Sequence, residues 1–192
     1  LAGFYLIPHF GSTRILYILA GILIATSVPL APRRRVLVNG VALAAMVLIG
    51  SRAADSGAIK VETLYNSVWI GDYPDPRTGR MIRVMDLNCQ DSSTMFLDSD
   101  ELVEEYPKYY NLAAHFGPGF QSALMIGGAG YAYPREYLRR FTGATLDVVE
   151  IDPKVTELAR AYFCLEENPR LGIYHQDARI FLNETGKKYD LF

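Results

Sequence analysis

The sequence predicts an α/β protein: two apolar helices, then a small β-hairpin region, then a doubly wound parallel sheet. Three observations predict it. Residues 121–192 alternate short apolar runs with amphipathic ones, residues 59–97 are rich in β-branched and aromatic types, and residues 1–54 hold two stretches nearly free of charge. Strand–helix alternation means a parallel sheet with helices on its faces.

The N-terminal region comes first. "ILYILAGILIATSVPLA" (15–31) carries no charge, and in "VLVNGVALAAMVLIG" (36–50) only Asn39 is strongly polar. A membrane span needs roughly 17–25 apolar residues, and neither run shows the polar stripe of a helix lying on a soluble core. The reading is two transmembrane helices within residues 1–54. Arg33, Arg34 and Arg35 between them suggest a cytoplasmic loop, whereas Arg14, Arg52 and Lys60 pull the other way and leave the topology open. The chain starts at Leu1 and ends in the apolar run "YDLF", so it reads as a piece of a longer protein.

In the β region (59–97), "VETLYNSVWIGD" and "MIRVMDLN" read as strands joined by "YPDPRTGR", whose prolines and Gly79 are turn chemistry. "DSDELVEEYPKYYNLAAHF" (98–116) reads as an acidic, then aromatic helix broken or started at Pro107. From there to Phe192 the alternation is regular. "SALMI", "TLDVVEI" and "LGIYHQ" are strands, "YPREYLRRF", "PKVTELARAYFCLE" and "ARIFLNET" are helices, and "YDLF" opens a fourth strand. Val155, Leu158, Ala159 and Tyr162 keep the spacing of an amphipathic helix.

Composition removes some classes. The formal net charge is −2 and the chain has two cysteines, Cys89 and Cys164, with no Cys/His cluster around them. That gives no support for a nucleic-acid partner, a disulfide framework or a zinc site.

Ligands of an open parallel sheet bind beyond the carboxyl ends of its strands. Those ends hold "GGAG" (127–130), Glu150-Ile151-Asp152 and Asp177-Ala178-Arg179. Gly127, Gly128 and Gly130 allow a ligand to lie on bare backbone at a helix N-terminus. A dinucleotide fingerprint is incomplete, because Tyr131, Ala132 and Tyr133 follow where a third glycine belongs. Glu150 can accept from ribose hydroxyls and Asp177 from an exocyclic amine, which suits an adenosine without phosphates such as S-adenosylmethionine or a relative. Asp152-Pro153 and Asp177 also read as helix starts.

"LMIGGAG", "DVVEIDP", "ARAYF" and "HQDARIFL", preceded by "ETLYNS" and "MDLNCQDSS", resemble the polyamine aminopropyltransferases, or spermidine synthases, and among them the membrane-attached bacterial forms. The resemblance covers roughly residues 61–192. It implies a β region feeding a sheet of the class I methyltransferase type, truncated here at its fourth strand. It also implies aminopropyl transfer from decarboxylated S-adenosylmethionine, as co-substrate and without a metal, to putrescine or a similar amine. By position it assigns Glu150 to the ribose, Asp177 and Ala178 to the adenine, the glycines to the nucleoside, and Asn66 to a shortened nucleoside contact where the family has glutamine. Gln90, Tyr109 and Tyr110 fall on the amine side.

The departures are the loop aspartate, absent from Gly127, Gly128, Ala129 and Gly130, and an acid replaced near Tyr109-Tyr110-Asn111. Asp98, Asp100, Glu101, Glu104 and Glu105 are candidate substitutes. The family's base follows the fourth strand and is expected beyond Phe192, so these residues alone are expected to be inactive. Implied partners are a putrescine-like amine and the lipid bilayer, with a homodimer allowed. The implied place is the cell membrane, multi-pass, with the synthase-like domain in the cytoplasm. An S-adenosylmethionine-dependent methyltransferase and a non-catalytic membrane protein with a vestigial nucleoside domain stay open as alternatives.

Overall fold

The computed structural model describes residues 6, 11–27, 38, 40, 41, 44, 45 and 58–192 except 118. The chain divides into two compact units, Leu1–Ala58 and Ile59–Phe192.

In the first unit, helix α1 spans Ser12–Ser27. It is apolar through its middle, and Leu16, Ile18, Leu19, Ile22 and Leu23 are each more than half exposed. Ser12, Thr13 and Arg14 occupy its first turn and Thr26 and Ser27 its last, where the Thr26 hydroxyl donates to the Leu23 carbonyl (3.0 Å). Its 16 residues reach about 24 Å, against a hydrocarbon core of about 30 Å. Among the described residues no helix is long and apolar enough to cross a membrane. The expected transmembrane helices and multi-pass membrane location are therefore corrected: the apolar run from 15 is helical to Ser27, a described helix too short to span a bilayer, and residues 28–31 lie outside the described residues. Most of 36–50, with Arg33 to Arg35 and Arg52, lies outside the described residues.

The second unit contains two sheets. The first is antiparallel, in the order β1 (Ile59–Glu62), β2 (Ser67–Pro74), β3 (Met81–Leu87), β4 (Gln90–Phe96). "VETLYNSVWIGD" thus holds two strands and a turn rather than one strand. The Thr63 hydroxyl accepts the N–H groups of Tyr65 (3.1 Å) and Asn66 (2.8 Å), and this local bonding reverses the chain inside an otherwise β-forming run. Gly79 (φ 72°) and the Asp75 side chain, which accepts from the Thr78 hydroxyl, close the expected β2–β3 loop. Asn88 and Cys89, both at positive φ, make a two-residue turn into β4. The acidic-aromatic stretch is helical only from α2 (Glu105–Tyr109), through a 3-10 turn at Tyr110–Leu112, to α3 (Ala113–Phe116).

The second sheet is parallel, in the order β5 (Ser122–Ile126), β6 (Thr145–Val149), β7 (Leu171–Tyr174). Helices α4 (Ala132–Arg140), α5 (Pro153–Tyr162) and α6 (Ala178–Glu184) follow the three strands in turn. On the side of β5 away from β6, Ala123 bridges Leu191 in parallel. The Asp190 carboxylate caps that edge, accepting from the N–H groups of Gln121 and Ser122 and from the Ser122 hydroxyl. The chain order therefore reverses beside β5, which places a crevice at its carboxyl end. One core joins the sheets: Val68, Ile70, Met85 and Met95 of the antiparallel sheet pack with Tyr131, Leu146, Val148, Val155 and Phe163.

Candidate active site

The glycine loop leaves β5 at Gly127, whose φ of 83° lies where a side chain would be strained. Its N–H donates to the Val149 carbonyl (2.9 Å), binding the loop to the end of β6. The next two glycines are required by packing. A Cβ on Gly128 would lie 2.4 Å from the Tyr131 ring, and one on Gly130 would lie 2.7 Å from Ser93 Oγ and 2.8 Å from the Phe163 ring. Tyr131 cannot yield, since it is fully buried and its hydroxyl bonds Thr156 Oγ1 at 2.8 Å. Ala129 and Tyr131 also adopt positive φ, so the turn into α4 is tight throughout.

Glu150, just past β6, is 6% exposed. One carboxylate oxygen accepts from the N–H of Gly128 (2.8 Å) and, more weakly, Ala129 (3.4 Å); the other accepts from the Asp152 N–H (3.0 Å). A buried carboxylate needs such donors to offset lost hydration. Asp152, 1% exposed, caps α5 through Lys154 N (3.1 Å), with Pro153 starting the helix. Its second oxygen accepts from Thr63 Oγ1 and from Asn66 Nδ2 (2.9 Å). Asn66 Oδ1 in turn accepts from Asn88 Nδ2 (2.9 Å).

Beside the loop lies a cleft of about 440 Å³ between β4, α2 and the end of β5. Asp91, Glu104 and Glu150 line it, with Tyr106, Tyr110 and Tyr133, and its described lining residues include no lysine, arginine or histidine. Glu104 accepts from the Thr94 hydroxyl (3.2 Å). Asp91 faces Asp86 across the β3–β4 pair, next to a register shift at Met85/Asp86. Burial, a shared hydrogen bond and like charge from Asp91 push the Asp86 carboxyl up to about 6. The Tyr133 hydroxyl is buried with no hydrogen-bond partner among the described residues, and burial pushes it up to about 12.

Of the residues the sequence singles out, Gly127, Gly128, Glu150 and Tyr110 line this cleft. Gly130 packs on Ser93 and Phe163 instead. Asn66 is engaged with Asp152 and Asn88, Gln90 is the exposed first residue of β4, and Tyr109 lines an apolar groove behind Tyr110. Asp177 caps α6 through Arg179 N (2.8 Å) and pairs with the Arg179 guanidinium, which holds its carboxyl below the usual range; Ala178 is half-buried beside it. Neither lines the cleft. Four acids of the 98–105 run turn to other partners: Asp98 and Glu101 to Arg80, Asp100 to Arg135, Glu105 to Lys108. Only Glu104 enters the cleft. Sequence reasoning missed Asp91, because "QDSSTMF" is too polar to read as a strand, and a carboxylate beside the expected Gln90 was the available signal.

No family model matches this chain. Among curated proteins, the polyamine aminopropyltransferase of Alkaliphilus metalliredigens is 32% identical over 109 residues, 53% of this chain and 37% of that protein. That of Methanocaldococcus jannaschii is 25% identical over 149 residues, 65% of this chain and 51% of that protein. The chain thus spans about a third to a half of the length of these relatives. Among solved structures, a probable spermidine synthase from Corynebacterium glutamicum superposes with a TM-score of 0.56 at 22% identity, covering 66% of this chain and 47% of that one. Spermidine synthase from Thermotoga maritima gives 0.50 at 22% identity, covering 70% and 46%. These two share the fold.

Proposed function

The chain is spermidine synthase-like, a relative of the polyamine aminopropyltransferases, and on that premise we propose that the full-length protein transfers an aminopropyl group from decarboxylated S-adenosylmethionine to putrescine or a similar amine. The observation that carries this reading is the charge of the cleft. Three carboxylates and no described cationic side chain face one space beside the glycine loop. A polyamine and an aminopropyl arm are cationic, and their desolvation is offset by carboxylates within reach.

Glu150 is assigned the ribose hydroxyls, Gly127 and Gly128 the nucleoside face, and Asp177 with Ala178 the adenine. Gly130 serves by letting the loop close on Ser93. Asp91 and Glu104 are assigned the amine, with Tyr110 as an aromatic wall; Gln90 and Tyr109 are left at the margin of the site. In the step, the neutral amine nitrogen attacks the propyl carbon bonded to the sulfonium. The N–C bond forms, the C–S bond breaks with its electron pair going to sulfur, and methylthioadenosine leaves as the new ammonium sheds a proton. Sulfur is already a good leaving group, so the main demand on the protein is alignment.

One observation favours a second reading. Ser93 and Phe163 fill the space that a side chain at position 130 would take, so the loop has no carboxylate specific to an aminopropyl arm. Methyl transfer from S-adenosylmethionine would not need one. The test is full-length protein with putrescine and either donor, products separated by mass. Methylthioadenosine and spermidine formed only from the decarboxylated donor are expected; S-adenosylhomocysteine would establish the second reading instead. Glu104→Gln should raise the KM for putrescine by about tenfold.

A further inference from the structure

Glu150 and Asp152, two buried carboxylates at the end of β6, face different parts of the protein. Glu150 lines the cleft, whereas Asp152 is turned to the β1–β2 turn. A helix cap occupies only one carboxylate oxygen, and Asp152 Oδ1 fills that role with Lys154 N. Asp177 caps α6 in the same manner and among the described residues takes only its near neighbour Arg179 as a further side-chain partner. Asp152 Oδ2 instead accepts from two side chains far away in sequence, Thr63 and Asn66. Capping does not account for them.

The bonds form one continuous line. The β3–β4 turn holds Asn66 through Asn88 Nδ2 (2.9 Å), and Asn66 and Thr63 hold Asp152. The Asp152 N–H holds Glu150 Oε1 (3.0 Å), and Glu150 Oε2 holds the loop at Gly128 (2.8 Å). Both ends of the Asn66 amide are already engaged in this line. The outer Asn88–Asn66 bond is exposed, but every link from Asn66 and Thr63 through Asp152 to Glu150 and Gly128 is buried or half-buried, so solvent cannot readily replace a partner lost there.

We infer that Thr63 and Asn66, acting through Asp152, are positioning residues for Glu150 and set the affinity for the nucleoside without touching it. The inference rests on the functional reading given above. Glu150 must present lone pairs to ribose hydroxyls while keeping its backbone donors. Its orientation is fixed at one end by the loop and at the other by the Asp152 N–H, whose place depends on the side chains holding Asp152. Outer partners of this kind tune a binding group by fixing its direction.

The test uses full-length protein and methylthioadenosine as probe, with affinities from calorimetry and KM values for decarboxylated S-adenosylmethionine and putrescine. Thr63→Val, Asn66→Ala and Asp152→Asn should each weaken methylthioadenosine by about tenfold. Each should raise the donor KM alike and leave the putrescine KM within about twofold. Thr63→Val combined with Asp152→Asn should bind no worse than Asp152→Asn alone, since both break one line. Should Asp152→Asn fail to fold, Thr63→Val and Asn66→Ala, tested singly and together, carry the same comparison. A lowered melting temperature with unchanged nucleoside affinity in all variants would overturn the inference and leave a structural role. Full additivity of Asn66→Ala with the others would overturn it in favour of a direct contact. Wild-type protein that binds no methylthioadenosine would overturn the functional reading, and this inference with it.

Discussion

The two sheets of the second unit handle charge in opposite ways. On the antiparallel sheet and the segment after it, carboxylates meet guanidinium groups at the surface: Asp72 with Arg83, Asp98 and Glu101 with Arg80. On the parallel sheet they are buried and held by chosen donors. Asp147 binds Lys187 and Tyr189, Glu150 the glycine loop, and Asp152 the β1–β2 turn. Exposed pairs of the first kind contribute little and are screened by salt. Buried carboxylates of the second kind fix geometry, because removing a partner leaves a charge or donor uncompensated. The difference teaches where to look for function: at the seam where the two habits meet, which is where Asp91, Glu104 and Glu150 line one cleft.

Four substitutions would break or sharpen that contrast. Glu150→Ala should have the largest effect, weakening methylthioadenosine by at least about 100-fold, since two backbone donors of the loop and the proposed ribose contact lose their acceptor together. Calorimetry checks it, and retained affinity would remove Glu150 from the site. Gly130→Asp, which places an acid back in the loop, should cost about 2 kcal/mol in denaturant unfolding through its clash with Ser93 and Phe163. It should fail to improve use of the decarboxylated donor.

Asp86→Asn should be stabilising. The folded-state value of about 6 lies above the ordinary carboxylate value of 3.8, so the folded form holds the proton more tightly. Native stability from this group is full below pH 4, falls as pH rises to 6, and stays lowered above it. The variant should therefore gain about 1 kcal/mol at pH 7, after discounting for solvent screening, and nothing at pH 4. Denaturant titrations at both pH values measure it, and an equal gain at each would sink the account of a raised Asp86 carboxyl. Arg80→Ala should do least, leaving nucleoside affinity unchanged and the melting temperature within the scatter of replicate scans.

How legible all this is in the sequence depends on the range of the interactions. The strands of the parallel sheet and their helices follow from periodicity, and the caps at Asp152-Pro153 and Asp177 from local chemistry. Glu150 stands out as an acid ending an apolar strand. The turn at Thr63–Asn66 does not, because its neighbours Val61, Tyr65 and Val68 are β-formers and the reversal depends on one hydroxyl. Nor does β4, where Ser92, Ser93 and Thr94 look like loop residues, although Ser93 packs against the glycine loop and Thr94 bonds Glu104. The helix expected from residue 98 begins at Glu105, since the acids before it reach out to Arg80 and Arg135. The membrane reading failed on length: among the described residues the apolar helix α1 spans Ser12–Ser27, shorter than a bilayer's hydrocarbon core. Partners far apart in sequence, such as Asn66 and Asp152, leave no local pattern to read.

The clasp of Asp190 on Gln121 and Ser122 has a kinetic consequence. It joins residues 68 positions apart, whereas β5 and β6 are linked through a single intervening helix. Closing the longer loop costs more chain entropy, so the clasp should form after the β5–β6 pairing during folding. It should also open first. In native-state hydrogen exchange, the Leu124 amide, bonded to the Leu191 carbonyl at 3.0 Å, should exchange through a partial opening, while the interior β6 amides wait for the whole unit to unfold.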